Sequence, residues 1–262
     1  MDIPPFKKLL YTVDDFVCTV TLNRPEKRNA LSAQLVNELI VAIETASEDP
    51  AVRVMVLTGA GGAFCAGADL SLMGGGAEDD PDMPQRGGFV ELNIAMQEAG
   101  LPIIARVERY AMAGALALIC GSTFVVAEAT AKFSAPEIDR GIFPMMVLAS
   151  LFRTVSKRDG LDLVLTGRKI DAQEAVRMGL INQAVPSEKL DETVQQLAQT
   201  MAQKPPAAIR LGLAAYHRQA QLTFEEALPY LSEQLMAVLS TEDAQEGIMA
   251  FLQKRQPEWT GR

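Results

Sequence analysis

The hydrophobic period changes once along this chain, and that change limits the folds open to it. Up to Val185, short runs with the period of a strand alternate with stretches of helical period; from Ser187 onward only the helical period remains. Phe16, Cys18, Val20 and Leu22 alternate with Val17, Thr19 and Thr21, which predicts a half-buried strand. Ser32 can cap a helix whose Leu35, Val36, Leu39, Ile40 and Ile43 share one face. Val52 to Leu57, Ile103 to Val107, Phe124 to Ala127 and Ile181 to Val185 read as further strands, with an Ala/Leu-rich helix at Gly114 to Cys120. Strands alternating with helices indicate parallel crossover units and an α/β core. In the later part Leu190, Val194, Leu197 and Met201 form one stripe, and Pro205 and Pro206 break the chain. Thr223 with Glu226 then has capping-box spacing, and a last helix begins near Thr241. The expected organisation is therefore an α/β core over residues 1–205 and a helical region over 206–262.

Composition removes several function classes. A net charge of −9 does not suit a general nucleic-acid binder, which needs a basic face for phosphates. Cys18, Cys65 and Cys120 are odd in number and lack CxxC spacing, which fits a reducing compartment better than a disulfide framework. Met1 to Leu10 has no apolar targeting core, and no run reaches the ~18 apolar residues needed to span a bilayer. A cytoplasmic protein with neither nucleic-acid nor membrane partners is the expectation. The single histidine, His217, leaves no HExxH zinc site and no histidine pair; it reads as a surface or packing residue, and no metal site is expected. No GxSxG is present either.

Four segments carry the remaining information. Thr58 to Leu72 (TGAGGAFCAGADLSL) is a glycine-rich turn after a buried strand. It fails both phosphate-loop patterns, because Phe64 stands where GxGxxG needs glycine, and Ala68 and Asp69 stand where a P-loop needs Lys and Ser/Thr. An ordinary turn and a site of backbone donors remain equally open for it. Met73 to Gly88 is rich in Gly, Pro and acid, and reads as a solvated loop that can serve as a lid. Arg106 to Cys120 runs from a strand into a helix, with Gly114 between Ala113 and Ala115 at the helix start, where free N–H groups favour negative charge. Tight helix–strand packing explains the same small residues. Phe133 to Pro144 (FSAPEIDRGIFP) sets Glu137 among apolar neighbours, which can raise a carboxyl pKa; a loop acid that caps a helix is the plainer alternative.

Taken in order, LNRPEKRNAL at 22–31, AFCAGADL at 63–70, YAMAGALAL, FSAPE and GLIN at 179–182 resemble the crotonase superfamily, also called the enoyl-CoA hydratase/isomerase family. The resemblance runs from about residue 10 to the C-terminus. It implies a ββα-spiral core with a C-terminal helical trimerisation region, assembled as a trimer or a dimer of trimers. It also implies an acyl-CoA substrate, with coenzyme A as part of that substrate and no tightly bound cofactor.

By the same resemblance, the N–H groups of Ala68 and Gly114 form an oxyanion hole around the thioester oxygen. Ala66, Asp69 and Leu70 lie along CoA, Lys27 and Arg28 contact it, and Phe251 and Lys254 reach it from a neighbouring region or subunit. Hydratases that resemble this chain use two glutamates, one to activate water and one to deliver a proton. Here Glu137 holds the second position and Ala117 the first. Met145 and Met146 replace a glycine-rich stretch and are expected to shape the acyl pocket. Asp139, two residues beyond Glu137, is expected to face away from it or to pair with Arg140. One carboxylate favours Δ3–Δ2 enoyl-CoA isomerisation, with Glu137 taking a proton from C2 and returning it at C4. Hydration of a 2-enoyl-CoA and non-catalytic acyl-CoA binding are the alternatives.

Overall fold

The computed structural model describes residues 5–69 and 83–262. Leu70 and most of the Met73–Gly88 stretch lie outside the described residues. The chain opens with a hairpin of β1 (Leu9–Asp14) and β2 (Val17–Leu22). Cys18, Val20 and Leu22 face inward and are fully buried, as their alternation predicts. Phe16 departs from that expectation. It and Asp15 form the turn at φ 63° and 44°, so Phe16 leaves the ladder and its ring lies 4.0 Å from the Arg53 guanidinium.

Four parallel pairings extend the hairpin through β3 (Val54–Gly59), β4 (Ile103–Val107), β6 (Phe124–Glu128) and β9 (Gln183–Val185), giving the order β1-β2-β3-β4-β6-β9. A second sheet joins β5 (Tyr110–Met112), β7 (Lys132–Ser134) and β8 (Ile170–Asp171). Neither sheet is exposed on both faces. In β3, Met55 and Leu57 enter the larger core with Leu35, Leu39 and Ile43 of α1 (Ala33–Glu48). Val54 and Val56 point the other way, onto Leu190, Val194 and Ala198 of α7 (Leu190–Ala202). Each such burial removes apolar surface worth about 1.5–3 kcal/mol, which is why a β-branched run with no polar face is stable here.

Caps fix the helix starts. Ser32 accepts the N–H of Leu35 at 3.2 Å, opening α1 where the sequence suggests. In chain order α1 is followed by α2 (Phe89–Glu98), α3 (Ala115–Gly121), α4 (Met145–Thr154), α5 (Lys157–Thr166) and α6 (Ala172–Met178). Pro206 occupies the first turn of α8 (Pro206–Gln219), where its missing N–H costs nothing. The Thr223/Glu226 capping box opens α9 (Phe224–Leu239), and Thr241 caps α10 (Glu242–Gln253). Buried Asp243 ties this region together by accepting the N–H groups of Ala207, Thr260 and Gly261 at 2.8–3.0 Å. Arg53 donates to the carbonyls of Ala202 and Trp259, joining the tail to the end of α7. No helix among the described residues is long and apolar enough to cross a membrane.

Candidate active site

Three distant segments meet in register. Cys65 bridges Ala111 in parallel, and Ala111 pairs with Phe133 in parallel between β5 and β7. Advancing three residues along each segment reaches Ala68, Gly114 and Pro136, with Glu137 next. The sheet thus delivers the three expected site residues to the same end, although up to seventy residues separate them.

The first donor is held by its neighbours. Residues 28–31 run beside 66–69: Ala66 N–H donates to Arg28 O at 3.0 Å, Leu31 N–H to Gly67 O at 2.8 Å, and Asp69 N–H to Leu31 O at 3.0 Å. Buried Asn29 secures this strip, donating to the Ala60 and Ala63 carbonyls at 2.9 and 2.8 Å while accepting Arg24 N–H at 3.0 Å. The Cys65 thiol donates to Asn29 O at 3.0 Å and accepts Gly67 N–H at 3.4 Å. Gly67 itself has φ 92°, and a Cβ there would fall 2.6 Å from both Ala113 Cβ and Met112 O. Only glycine permits this approach.

The second donor follows a strained residue. Ala113 is left-handed at φ 54°, which costs about 1–2 kcal/mol for a residue with a Cβ. Its N–H donates to Ser134 O at 2.8 Å, which holds the strained turn to β7. Gly114 is buried at the entrance to α3. The point where a Gly114 Cβ would stand is 3.6 Å from Ala68 N and 3.5 Å from Phe89 Cζ. The Ala68 and Gly114 backbones therefore approach each other with no Gly114 side chain between them. Among the described residues, neither N–H has a protein acceptor.

Glu137 lies in a short 3-10 turn, Pro136–Arg140, and its Oε2 is buried without a hydrogen-bond partner among the described residues. Burial pushes its carboxyl above the ordinary carboxylate range, while its own backbone N–H and the charge of Arg140 pull the other way. Asp139 points elsewhere. Both its carboxylate oxygens lie 3.2 Å from where a Cβ on Gly167 would stand, and Arg140 donates to Pro136 O instead of pairing with Asp139. Ala117 is buried on α3, three residues past Gly114.

The remaining candidates separate into groups. Lys27 and Arg28 are exposed, and the Arg28 carbonyl is bonded to Ala66, so two cations flank that loop. Asp69 is engaged by buried Arg24 at 3.0 Å, which gives its carboxylate a structural partner. Met145 and Met146 begin α4 with exposed side chains, while Val147 and Leu151 of that helix are buried. Phe251 and Lys254 end α10, which packs on α8 and α9; no hydrogen bond or ion pair joins them to Ala68 or Gly114 among the described residues. Asn29, Arg24 and Phe89 are absent from the sequence-derived site, although Phe89 is signalled as the aromatic that opens an apolar stretch after Gly87 and Gly88.

Residues 12–262 match the family described as enoyl-CoA hydratase/isomerase. The chain is 36% identical over 258 residues to the 2,3-dehydroadipyl-CoA hydratase of Escherichia coli (strain K12), covering 97% of this chain and 99% of that one. It is 34% identical over 262 residues to a probable enoyl-CoA hydratase of Mycobacterium tuberculosis, covering 98% and 99%. The crystal structure of an enoyl-CoA hydratase from Mycobacterium smegmatis superimposes with a TM-score of 0.88 at 32% identity, covering 97% of this chain and 99% of that one. This chain belongs to the enoyl-CoA hydratase/isomerase family and has the crotonase-type α/β fold.

Proposed function

We propose that the protein polarises an acyl-CoA thioester through the Ala68 and Gly114 N–H groups and moves protons with Glu137. The observation that carries this reading is a pair of neighbouring backbone N–H groups, on Ala68 and Gly114, with no acceptor among the described residues; a Cβ placed on Gly114 would stand 3.6 Å from Ala68 N. Fixed donors aimed at a developing oxyanion need no reorganisation during the reaction, and each is worth about 3–4 kcal/mol. The CoA portion follows Ala66, Asp69 and Leu70, with Lys27 and Arg28 beside its phosphates. Phe251 and Lys254 complete that path from another subunit of a trimer or dimer of trimers. The exposed apolar side chains of α8–α10, among them Tyr216, Leu235, Met236 and Phe251, support such an assembly. The setting is cytoplasmic.

With Ala117 in the first glutamate position, one proton carrier serves the site, and the reaction is Δ3–Δ2 isomerisation. Glu137 takes the C2 proton of a 3-enoyl-CoA; electrons move into the carbonyl and leave a dienolate held by the two donors. The proton then returns from Glu137 to C4, giving the conjugated 2-enoyl-CoA. A raised carboxyl pKa suits this exchange, since the same group must take and release a proton near neutrality. The names of the relatives favour a second reading, hydration of a 2-enoyl-CoA. Separate assays of the purified protein with 3-enoyl-CoA and 2-enoyl-CoA decide between them. Isomerisation that outpaces hydration is expected, and hydration at ordinary enzyme rates sinks the single-acid reading.

A further inference from the structure

We infer that the buried Arg24–Asp69 ion pair is the brace that aims the Ala68 N–H, so the Asp69 carboxylate serves the donor and not CoA. The inference rests on the acyl-CoA reading above, in which that N–H holds the thioester oxygen, and it adds the residues that position the donor.

The direction of the Ala68 N–H depends on one bridge. Leu31 and Ala68 pair in parallel, outside any named strand. Leu31 spends both of its backbone groups on the neighbours of Ala68: its N–H goes to Gly67 O, and its carbonyl accepts Asp69 N–H. In a parallel pairing of this kind, the residue between the two bonds turns its own N–H to the opposite side. Ala68 N–H accordingly has no acceptor among the described residues, and Gly114 is its close neighbour, since a Cβ placed there would stand 3.6 Å from Ala68 N. A twist of the bridge turns this N–H with it.

Arg24 spans the bridge. Its Nη1 donates to Ala30 O, one residue before Leu31, and its Nη2 to the Asp69 carboxylate at 3.0 Å, one residue after Ala68. One flat group thus ties the two paired segments to each other. The side chains are 6% and 11% exposed, so water screens this pair far less than a surface pair. Arg24 is itself fixed at the end of β2: its N–H donates to Asn29 Oδ1 at 3.0 Å, and its carbonyl accepts the N–H groups of Lys27 and Asn29 at 3.0 and 2.9 Å. A guanidinium presents its donors in fixed directions, whereas lysine supplies its charge from a single point. The Arg24 Nε is buried with no hydrogen-bond partner among the described residues. A buried donor without an acceptor is a cost, and the side chain bears it while both Nη contacts are kept. The CoA path proposed above then follows the Asp69 backbone.

The test uses R24K, D69N and R24M/D69L in the full chain. Infrared difference spectra of carbonyl-labelled butyryl-CoA report how strongly the bound thioester is polarised, and calorimetry gives its affinity. Steady-state rates are taken with whichever of 3-enoyl-CoA and 2-enoyl-CoA the wild type converts. R24K and D69N are expected to lower kcat about 10-fold or more, as a displaced catalytic group does. KM and butyryl-CoA affinity stay within about twofold, the mark of an interaction made in the transition state alone. The carbonyl stretch moves less on binding than it does in the wild type. R24M/D69L replaces the buried pair with apolar side chains, a change that often keeps stability, and shows the same losses at an unchanged Tm. Wild-type kcat and carbonyl shift in any folded variant overturn the brace, and so does a weakened affinity in D69N at unchanged kcat, which returns the carboxylate to CoA. Failure of all three variants to fold also overturns it, because the pair then serves the fold alone. A wild type that does not bind butyryl-CoA, or binds it without a carbonyl shift, removes the acyl-CoA reading itself, and the brace with it.

Discussion

The two halves of the site are built by opposite means. Around Ala68 and Gly114, backbone is bonded to backbone across three segments, and the side chains that help, Asn29 and Cys65, act on carbonyls and N–H groups. Around Glu137 a single side chain has an oxygen with no partner among the described residues, in a turn of only five residues. On the reading proposed above, the first half holds charge by geometry that most substitutions leave alone, and the second gives that charge a reaction through one replaceable group. On that reading, an exchange of a few side chains near Glu137 alters the chemistry while the backbone half is kept.

The largest expected effect falls on the proton-carrying half. Glu137→Gln should lower kcat by about 10²–10⁴-fold with little change in acyl-CoA affinity, and turnover at the wild-type rate removes Glu137 as the base. The same variant reports on pH. Burial raises the folded carboxyl pKa, so the charged form weakens the fold above that raised value, and the penalty fades as pH falls below the ordinary carboxylate range. Glu137→Gln should therefore melt higher than the wild type at pH 8 and equal to it near pH 3. A Tm difference independent of pH contradicts the burial assigned to Oε2.

Next come the two donors. Gly114 has helical φ of −53°, and an added methyl meets Phe89 and Ala68 at ordinary contact distances. Gly114→Ala should fold with an unchanged Tm yet lose about 10²-fold in kcat, because the methyl crowds the space beside the Ala68 and Gly114 N–H groups. Retained activity would break the contrast between the two halves. The smallest effect is expected at Asn29→Ala, which strips partners from two carbonyls and one N–H. It should cost about 1–3 kcal/mol in denaturant unfolding, with a roughly 10-fold fall in kcat as the Ala68 strip loosens. Stability loss without any rate change would show that Asn29 supports the fold alone.

What the sequence discloses follows the strength of each local signal. The fully buried β3 is announced by its β-branched run, and the caps at Ser32, Thr223 and Thr241 name their helices before any coordinate is seen. The short strands β5, β7 and β8 carry two or three residues each, too few to show a period, and their pairing depends on contacts with distant segments. Gly67 and Gly114 are visible as composition, but the reason for Gly67 lies in the closeness of Ala113, which no local pattern encodes. Asn29 and Arg24 read as polar loop residues because their partners lie in residues 60–69. Met145 and Met146 are placed at the acyl pocket by the family resemblance, where they replace a glycine-rich stretch, and in the single chain both side chains are exposed.

The alignment of Cys65, Ala111 and Phe133 has a consequence for how such a chain can diversify. Cys65 and Ala111 each stand three residues before Ala68 and Gly114, and Phe133 four before Glu137, so together they act as a common ruler. A point substitution, except at Gly67, leaves the ruler intact. Deletion or duplication of one residue between Cys65 and Ala68, or between Ala111 and Gly114, shifts one mark against the others and turns the following backbone to the opposite face. In this chain the ruler therefore constrains spacing more than side chains: a change of residue outside Gly67 keeps the register, whereas a change of length within it does not.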